Sequence, residues 1–270
     1  MALASSFFTL TLTSRTLENG GTVVWTGGGG CYLTSAVITN RPGALFDAQN
    51  ATAFFGASGR FDNAGTFRKE ISSGTTTIDN NVAFNNYGTL DIRTGFVAAN
   101  HGYTSSTSAL LNCALGGTTA GTGYGQLQVA GTVTLNGALS VNLTNGYSPT
   151  TNDSFTVLTA GARTGTFTGF SYPSNQVTMQ LSNTTTSVIA RVTGVFPPPP
   201  VLLPPVLSSS NVLLTWTAIS NGNYRLEFNP RLSLSNWSAV PGDVTSQSNL
   251  ASKLDFLTPS NRFYRVHVIP

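Results

Sequence analysis

The chain has 270 residues, 13 of them Lys or Arg and 10 Asp or Glu, so charged residues make up 9% against roughly 25% in an ordinary soluble domain. Hydrophobic residues reach 40% and the net charge is only +3, which excludes a charge-driven disordered chain. No stretch is dominated by helix formers. An all-β protein rich in turns remains, its polar residues drawn mainly from Thr, Ser and Asn.

The length allows one or two domains with a sizeable core. Arg68 and Lys69 are the only adjacent basic residues, so no nucleic-acid patch is expected. No apolar run approaches the ~18–20 residues of a membrane span. Two cysteines, Cys31 and Cys113, are too few for a disulfide scaffold or a four-ligand zinc site.

The segment Met1-Ala-Leu-Ala-Ser-Ser-Phe-Phe-Thr-Leu lacks a basic region and runs into alternating Thr and Leu. It reads as the first strand of the fold rather than a signal peptide. The composition suits an extracellular or cell-surface protein, with the export signal itself absent from this chain.

From there a repeat sets in. Turn glycines at Gly21, Gly43, Gly65 and Gly88 are spaced 22, 22 and 23 residues apart. Two residues before each stand Asn19, Arg41, Asn63 and Asn86; four before stand Leu17, Thr39, Phe61 and Phe84; two after stand Val23, Leu45, Phe67 and Leu90. A period near 22 with strand chemistry predicts a right-handed parallel β-helix (a β-solenoid), whose stacked coils bury one continuous core. Asn19, Asn63 and Asn86 are then a structural ladder, because a turn Asn can bond to the coils above and below. The rival reading is a β-sandwich with evenly spaced turns.

The charges fit the same grid. Arg68 with Asp91, Asp47 with Lys69, and Glu70 with Arg93 fall on successive coils with opposite signs. Stacked strands lie ~4.8 Å apart, so these are expected cross-rung ion pairs that set register. Each is worth only ~0–1 kcal/mol when exposed. Cys31 and Cys113, between three and four coils apart, would lie roughly 14–19 Å apart along the axis, too far for a disulfide; two free thiols are predicted.

From Leu127 the alternation is strict, with Leu127, Val129, Val133, Leu135, Leu139, Val141 and Leu143 facing one way. The stretch Gly123-Tyr-Gly-Gln-Leu-Gln-Val-Ala-Gly-Thr-Val-Thr-Leu-Asn-Gly-Ala-Leu-Ser-Val141 resembles the passenger repeats of secreted bacterial autotransporter-type β-helix proteins, as do the coils before it. The resemblance covers roughly residues 10–193 and implies architecture more than activity. The resemblance implies a membrane-inserted translocator barrel at the C-terminus, and residues 206–270 are not expected to form one.

Six prolines in residues 195–205 predict a semi-rigid spacer between a β-solenoid over 1–194 and a module over 206–270. In that module Leu214-Thr-Trp216, Tyr224-Arg225 and Arg262-Phe-Tyr-Arg265 resemble a fibronectin type III-like β-sandwich, shorter than the full ~100-residue sandwich.

Chemistry is scarce. His101 follows Asn100 in a loop and His267 lies in the last strand of the C-terminal module; no triad, phosphate loop or metal-binding motif appears, and no catalytic residue, cofactor or metal is expected. Asp62 and Asp79 read as turn formers. The leading expectation is a non-catalytic extracellular or cell-surface rod, structural or adhesive, with surface glycans or copies of itself as partners. One alternative is a self-assembling filament, with Phe7, Phe8, Leu10 and Leu12 in a strand that completes a neighbour's sheet. Another is a polysaccharide lyase or glycosidase of the β-helix type, using carboxylates in a groove. Aromatic residues among the coils offer a mild hint of sugar stacking, with core filling as the plainer explanation.

Overall fold

The computed structural model describes residues 2–4, 9–196, 198–233, 235–256 and 261–269. The chain divides into two compact units, Met1–Val195 and Phe196–Pro270. No helix among the described residues is long and apolar enough to cross a membrane.

The first unit is all-β and built from long sheets of parallel strands, compatible with a β-helix. One sheet has eight strands in the order Ala2–Ala4, Thr22–Thr26, Leu45–Ala48, Thr66–Lys69, Thr89–Ile92, Leu110–Leu115, Ala138–Leu143 and Gly169–Ser171. Every neighbour in this sheet is parallel. A second, folded sheet carries two further parallel series. One runs from Leu10–Thr13 through Cys31–Thr34, Ala53–Ala57 and Thr75–Ile78 to Phe96–Ala99; the other runs from Thr16–Asn19 through Val37–Asn40, Gly59–Asn63 and Val82–Asn86 to Tyr103–Ser105. The long strand Gln126–Leu135 joins them, pairing with Phe96–Ala99 through its first half and with Thr104 through Thr134.

Side chains alternate across each strand, so one residue in two enters a shared interior. In the first sheet the inward column runs Val23, Phe46, Phe67, Leu90, Leu111 and Leu139 in register, all buried. Leu17, Ile38, Phe61, Phe84 and Tyr103 form the facing column. Phe46 stacks on Phe67 with centroids 5.6 Å apart and planes at 4°, and Phe61 meets both edge-on. Such ring pairs add to the burial of apolar area. Cys31 and Cys113 sit in this core as free thiols, as their separation along the repeat requires.

The register corrects one coil of the sequence reading. Leu45 pairs with both Thr22 and Thr66, and Thr66 with Thr89. The residue equivalent to Gly21, Gly65 and Gly88 is therefore Ala44, not Gly43. The turn Arg41-Pro42-Gly43-Ala44 holds two residues more than Gly20-Gly21, which moves the inward positions to Ile38 and Phe46 in place of Thr39 and Leu45. A one-residue slip turns every side chain to the other face, so the spacing of glycines alone misassigned this coil.

The C-terminal end of the unit turns antiparallel. Strand Ser154–Gly165 pairs parallel with Gln126–Leu135 on one side and antiparallel with Ser187–Val195 on the other, and Ser187–Val195 pairs antiparallel in turn with Val177–Asn183.

The second unit holds a three-stranded sheet (Val206–Leu207, Asn211–Thr217, Leu250–Phe256) and a four-stranded sheet (Ser238–Ala239, Asn223–Asn229, Val244–Thr245, Phe263–Ile269). Its core is Val212, Leu214, Trp216, Tyr224, Leu226, Val240 and Ala251. Val201 and Leu203 of the proline-rich stretch donate backbone hydrogen bonds to Thr217 and Thr215, so this part of it is tied to the second unit.

Candidate functional site

Two sets of polar side chains stand out in the first unit, a buried ladder and a groove. The ladder lies at the end of the third series of strands. Asn19 Nδ2 donates to Asn40 Oδ1, Asn40 Nδ2 to Asn63 Oδ1, and Asn63 Nδ2 to Asn86 Oδ1, each at 2.8 Å. Asn86 Nδ2 donates to the Tyr103 hydroxyl at 2.9 Å. The first three amides also donate to the carbonyls of Leu45, Thr66 and Thr89. All four are buried, and a buried amide with its donors and acceptors satisfied holds the register firmly. Asn19, Asn63 and Asn86 thus stand where the repeat placed them; Asn40, rather than Arg41, is the fourth rung. Arg41 instead bonds Glu18 at the surface.

The glycines beside the ladder differ in kind. A Cβ on Gly65 would lie 2.3 Å from the Ala44 carbonyl oxygen, and one on Gly88 would lie 2.2 Å from that of Gly65. Gly21 and Gly43 face open space, but Gly43 has φ +79.

The outward column of the eight-stranded sheet carries the charges. Asp47, Arg68, Asp91 and Asn112 are in register. Asp91 accepts from Arg68 Nε and Arg93 Nε at 3.0 Å each and from Asn112 Nδ2 at 2.7 Å. Arg93 Nη1 reaches Glu70 at 3.1 Å. Arg68–Asp91 and Glu70–Arg93 therefore meet across rungs. Asp47 and Lys69 do not form an ion pair within 4.0 Å. Lys69 belongs to an inward column between Ala48 and Ile92, fully buried, and its Nζ donates to the Ser72 carbonyl at 2.5 Å. Burial pulls its pKa down to about 8, against the opposing pull of Asp47. Once Ala44 replaces Gly43 as the reference, Asp47 falls into the column of Arg68, which is why the pairing read from spacing does not occur.

Asp47 is buried; its Oδ2 accepts from Gln49 at 2.7 Å, while its Oδ1 has no partner. Glu70 lies next to it, and its carboxyl is held above the usual range by burial first, then by the Asp47 charge, with Arg68 and Arg93 pulling the other way.

A groove of about 610 Å³ opens beside this cluster. Glu70, Ile71, Arg93 and Thr94 line one end, and Asn112, Asn142, Thr144 and Asn145 the other. Asn142 Nδ2 donates to Asn112 Oδ1 at 2.7 Å, extending the polar row by one rung. The excursion 116–125 flanks it: Gly121 O accepts from Thr94 Oγ1 at 2.9 Å and from Gly95 N at 2.7 Å. Ile71 is a β-branched residue at φ 70, 71% exposed, a backbone conformation that costs such a residue of order 1–3 kcal/mol. A smaller recess of about 380 Å³ is lined by Ser35, Ser58, Arg60 and His101 among others, and His101 Nδ1 bonds the Asn80 carbonyl. Among the described residues no group of three or more His, Cys, Asp or Glu is placed to hold a metal ion.

Sequence reasoning missed the groove. Asn112, Asn142 and Thr94 look like any other solenoid surface position, and the excursion that shapes it interrupts the 22-residue period. Leu10 and Leu12 lie half-buried in strand Leu10–Thr13, which pairs in register with Cys31–Thr34; its other edge is unpaired among the described residues. Phe7 and Phe8 lie outside the described residues.

Compared with known proteins, the chain matches no family model and no curated protein.

Proposed function

We propose that the first unit is a right-handed parallel β-helix with coils of about 22 residues, acting as a non-catalytic structural or adhesive rod outside the cell. The second unit is then a small fibronectin type III-like sandwich that follows it in the chain. The observation that carries the reading is the asparagine ladder, in which Asn19, Asn40, Asn63 and Asn86 bond rung to rung at 2.8 Å. Register offsets of 21 to 23 residues across these coils support the coil length. Such a ladder spends polar side chains on stiffness rather than on chemistry. Immunogold labelling of intact cells, with small-angle scattering from the purified protein, tests the proposal. Surface label and an elongated first unit are expected; label confined to the cytoplasm, or a spherical first unit, would overturn it.

Filament formation is a second reading, favoured by one observation. The strands Leu10–Thr13 and Thr16–Asn19 each have a partner on one side only among the described residues, and an open edge accepts another strand. Concentration-dependent polymers in negative-stain images, lost on deletion of residues 1–13, are its expected signature; a strict monomer at all concentrations contradicts it.

A further inference from the structure

The groove beside Glu70 combines three features that the rod does not need. Its volume, about 610 Å³, lies in the range of sites that hold small ligands. Its floor is a polar row crossing successive rungs. Asn142 donates to Asn112 and Asn112 to Asp91, both at 2.7 Å, so the amides are held by each other and all point one way. That order leaves Asn142 Oδ1 as a free acceptor at the end of the row. Arg93 commits Nε and Nη1 to Asp91 and Glu70 and keeps Nη2 for a ligand. Asn142 stands opposite Ala114, so the row steps diagonally from Asn112 to the next rung, and its donors and acceptors are spaced by one strand spacing, ~4.8 Å, or somewhat more, which is the scale of one pyranose ring.

The second feature is Ile71. It stands at the other end of the groove, 71% exposed, at φ 70. The turn 70–74 is two residues longer than the turn 93–95 one coil later, whose left-handed residue is Gly95, and in the longer turn a left-handed position that favours glycine holds a solvent-facing isoleucine. An apolar side chain held out beside a polar row suits the C–H face of a sugar ring. The third feature is charge. Asp47, Glu70 and Asp91 face Arg68 and Arg93, three carboxylates against two guanidinium groups. That balance disfavours an anionic chain, since both guanidinium charges are already matched by carboxylates.

We propose that this groove binds a linear, uncharged oligosaccharide laid across successive rungs, with Ile71 under one ring and Arg93, Asn112 and Asn142 bonding hydroxyls of the rings beyond. The proposal rests on the adhesive reading and supplies its ligand class. Its test has a separate readout, so either can fail alone: the rod is judged by cellular location and shape, the groove by titration.

The test is calorimetric titration of the full chain with cellohexaose, maltohexaose, N-acetylchitohexaose and hexagalacturonate. Binding of at least one neutral hexasaccharide is expected, stronger than binding of hexagalacturonate. Ile71→Gly separates this site from a structural role, because glycine relieves the backbone at φ 70 while removing the platform. It should raise the melting temperature and weaken binding by about ten-fold. Asn142→Ala should weaken binding by a similar factor with the fold retained, and Tyr87→Ala, at an exposed position outside the groove, should leave it unchanged. Binding of none of the neutral chains, preference for hexagalacturonate, or affinity indifferent to both groove substitutions each overturns the proposal.

Discussion

Asn40 Nδ2 donates to Asn63 Oδ1 at 2.8 Å, although the two residues are 23 apart in the chain and neither is exposed. Asn63 is an interior rung, accepting from Asn40 and donating to Asn86 and to the Thr89 carbonyl. Asn63→Ala should cost about 3 kcal/mol, from three lost hydrogen bonds and the buried groups left unpaired. Asn19→Ala also loses three bonds, to Asn40, the Leu45 carbonyl and the Gly21 amide, but it breaks the ladder on one side only and should cost less, about 2 kcal/mol. Urea denaturation of the two variants checks the order; equal costs would mean that the ladder is not cooperative.

The glycine column makes a sharper distinction than the sequence allowed. Gly88→Ala forces a Cβ to 2.2 Å from the Gly65 carbonyl oxygen and should destabilise by several kcal/mol, about 3 or more, through displaced backbone. Gly21→Ala meets nothing within 4 Å and should be neutral or stabilising by about 0.5 kcal/mol. Melting temperatures of the pair decide it.

Lys69 is a buried ammonium in an apolar column. Its pKa falls from 10.5 to about 8, so below pH 8 the folded state carries the whole penalty of the buried charge. Between pH 8 and 10.5 the unfolded chain holds a proton that the folded chain has released, and stability rises with pH. Lys69→Met should stabilise by about 1–3 kcal/mol at pH 7, and its advantage should shrink steadily towards pH 10. An advantage that stays constant with pH would show that Lys69 is not desolvated.

Glu70 shifts the other way. A carboxyl raised above 4.5 contributes stability that is complete below pH 4.5 and lost as pH rises through its folded value. The protonated group supplies a donor for the unpartnered Asp47 Oδ1. Glu70→Gln carries that donor at every pH, so its stability relative to the parent should improve as pH rises from 4.5 to 7. Thermal melts of both proteins across that range measure the trend, and a flat difference is the contrary outcome.

Much of this was legible in the sequence. The columns through Leu17, Phe61, Phe84, Val23, Phe67 and Leu90 are inward, Asn19, Asn63 and Asn86 bond from coil to coil, and the two cysteines are free; that these asparagines are buried rather than in exposed turns is added by the structure. Most of the differences share one origin. Gly43 has the spacing of an equivalent of Gly21, but Pro42-Gly43 lengthens that turn and Ala44 occupies the tight site. Asn40, Ile38, Phe46 and the pairing of Asp47 all followed from that slip. Lys69 was read as exposed because lysines seldom enter a core unpaired, and only its alternation with Phe67 signals otherwise. The groove left no trace, since neutral amides and hydroxyls carry no charge pattern and its residues are brought together by an excursion out of the repeat.

Coils of 19 to 31 residues all advance the chain by one strand spacing. Glu18, Thr39, Asp62, Asn85, Thr104, Thr134 and Thr164 form one outward column in register. Spin labels on cysteines introduced at Glu18 and at Thr104, Thr134 or Thr164 measure it, because these four positions are exposed while Cys31, its thiol pushed up to about 12, and Cys113 are buried. Double electron–electron resonance should give distances of about 19, 24 and 29 Å, a step of ~4.8 Å for each rung, even though each step from Thr104 onward spans 30 residues. Distances that fail to climb by one strand spacing per rung would contradict the stacked-coil architecture.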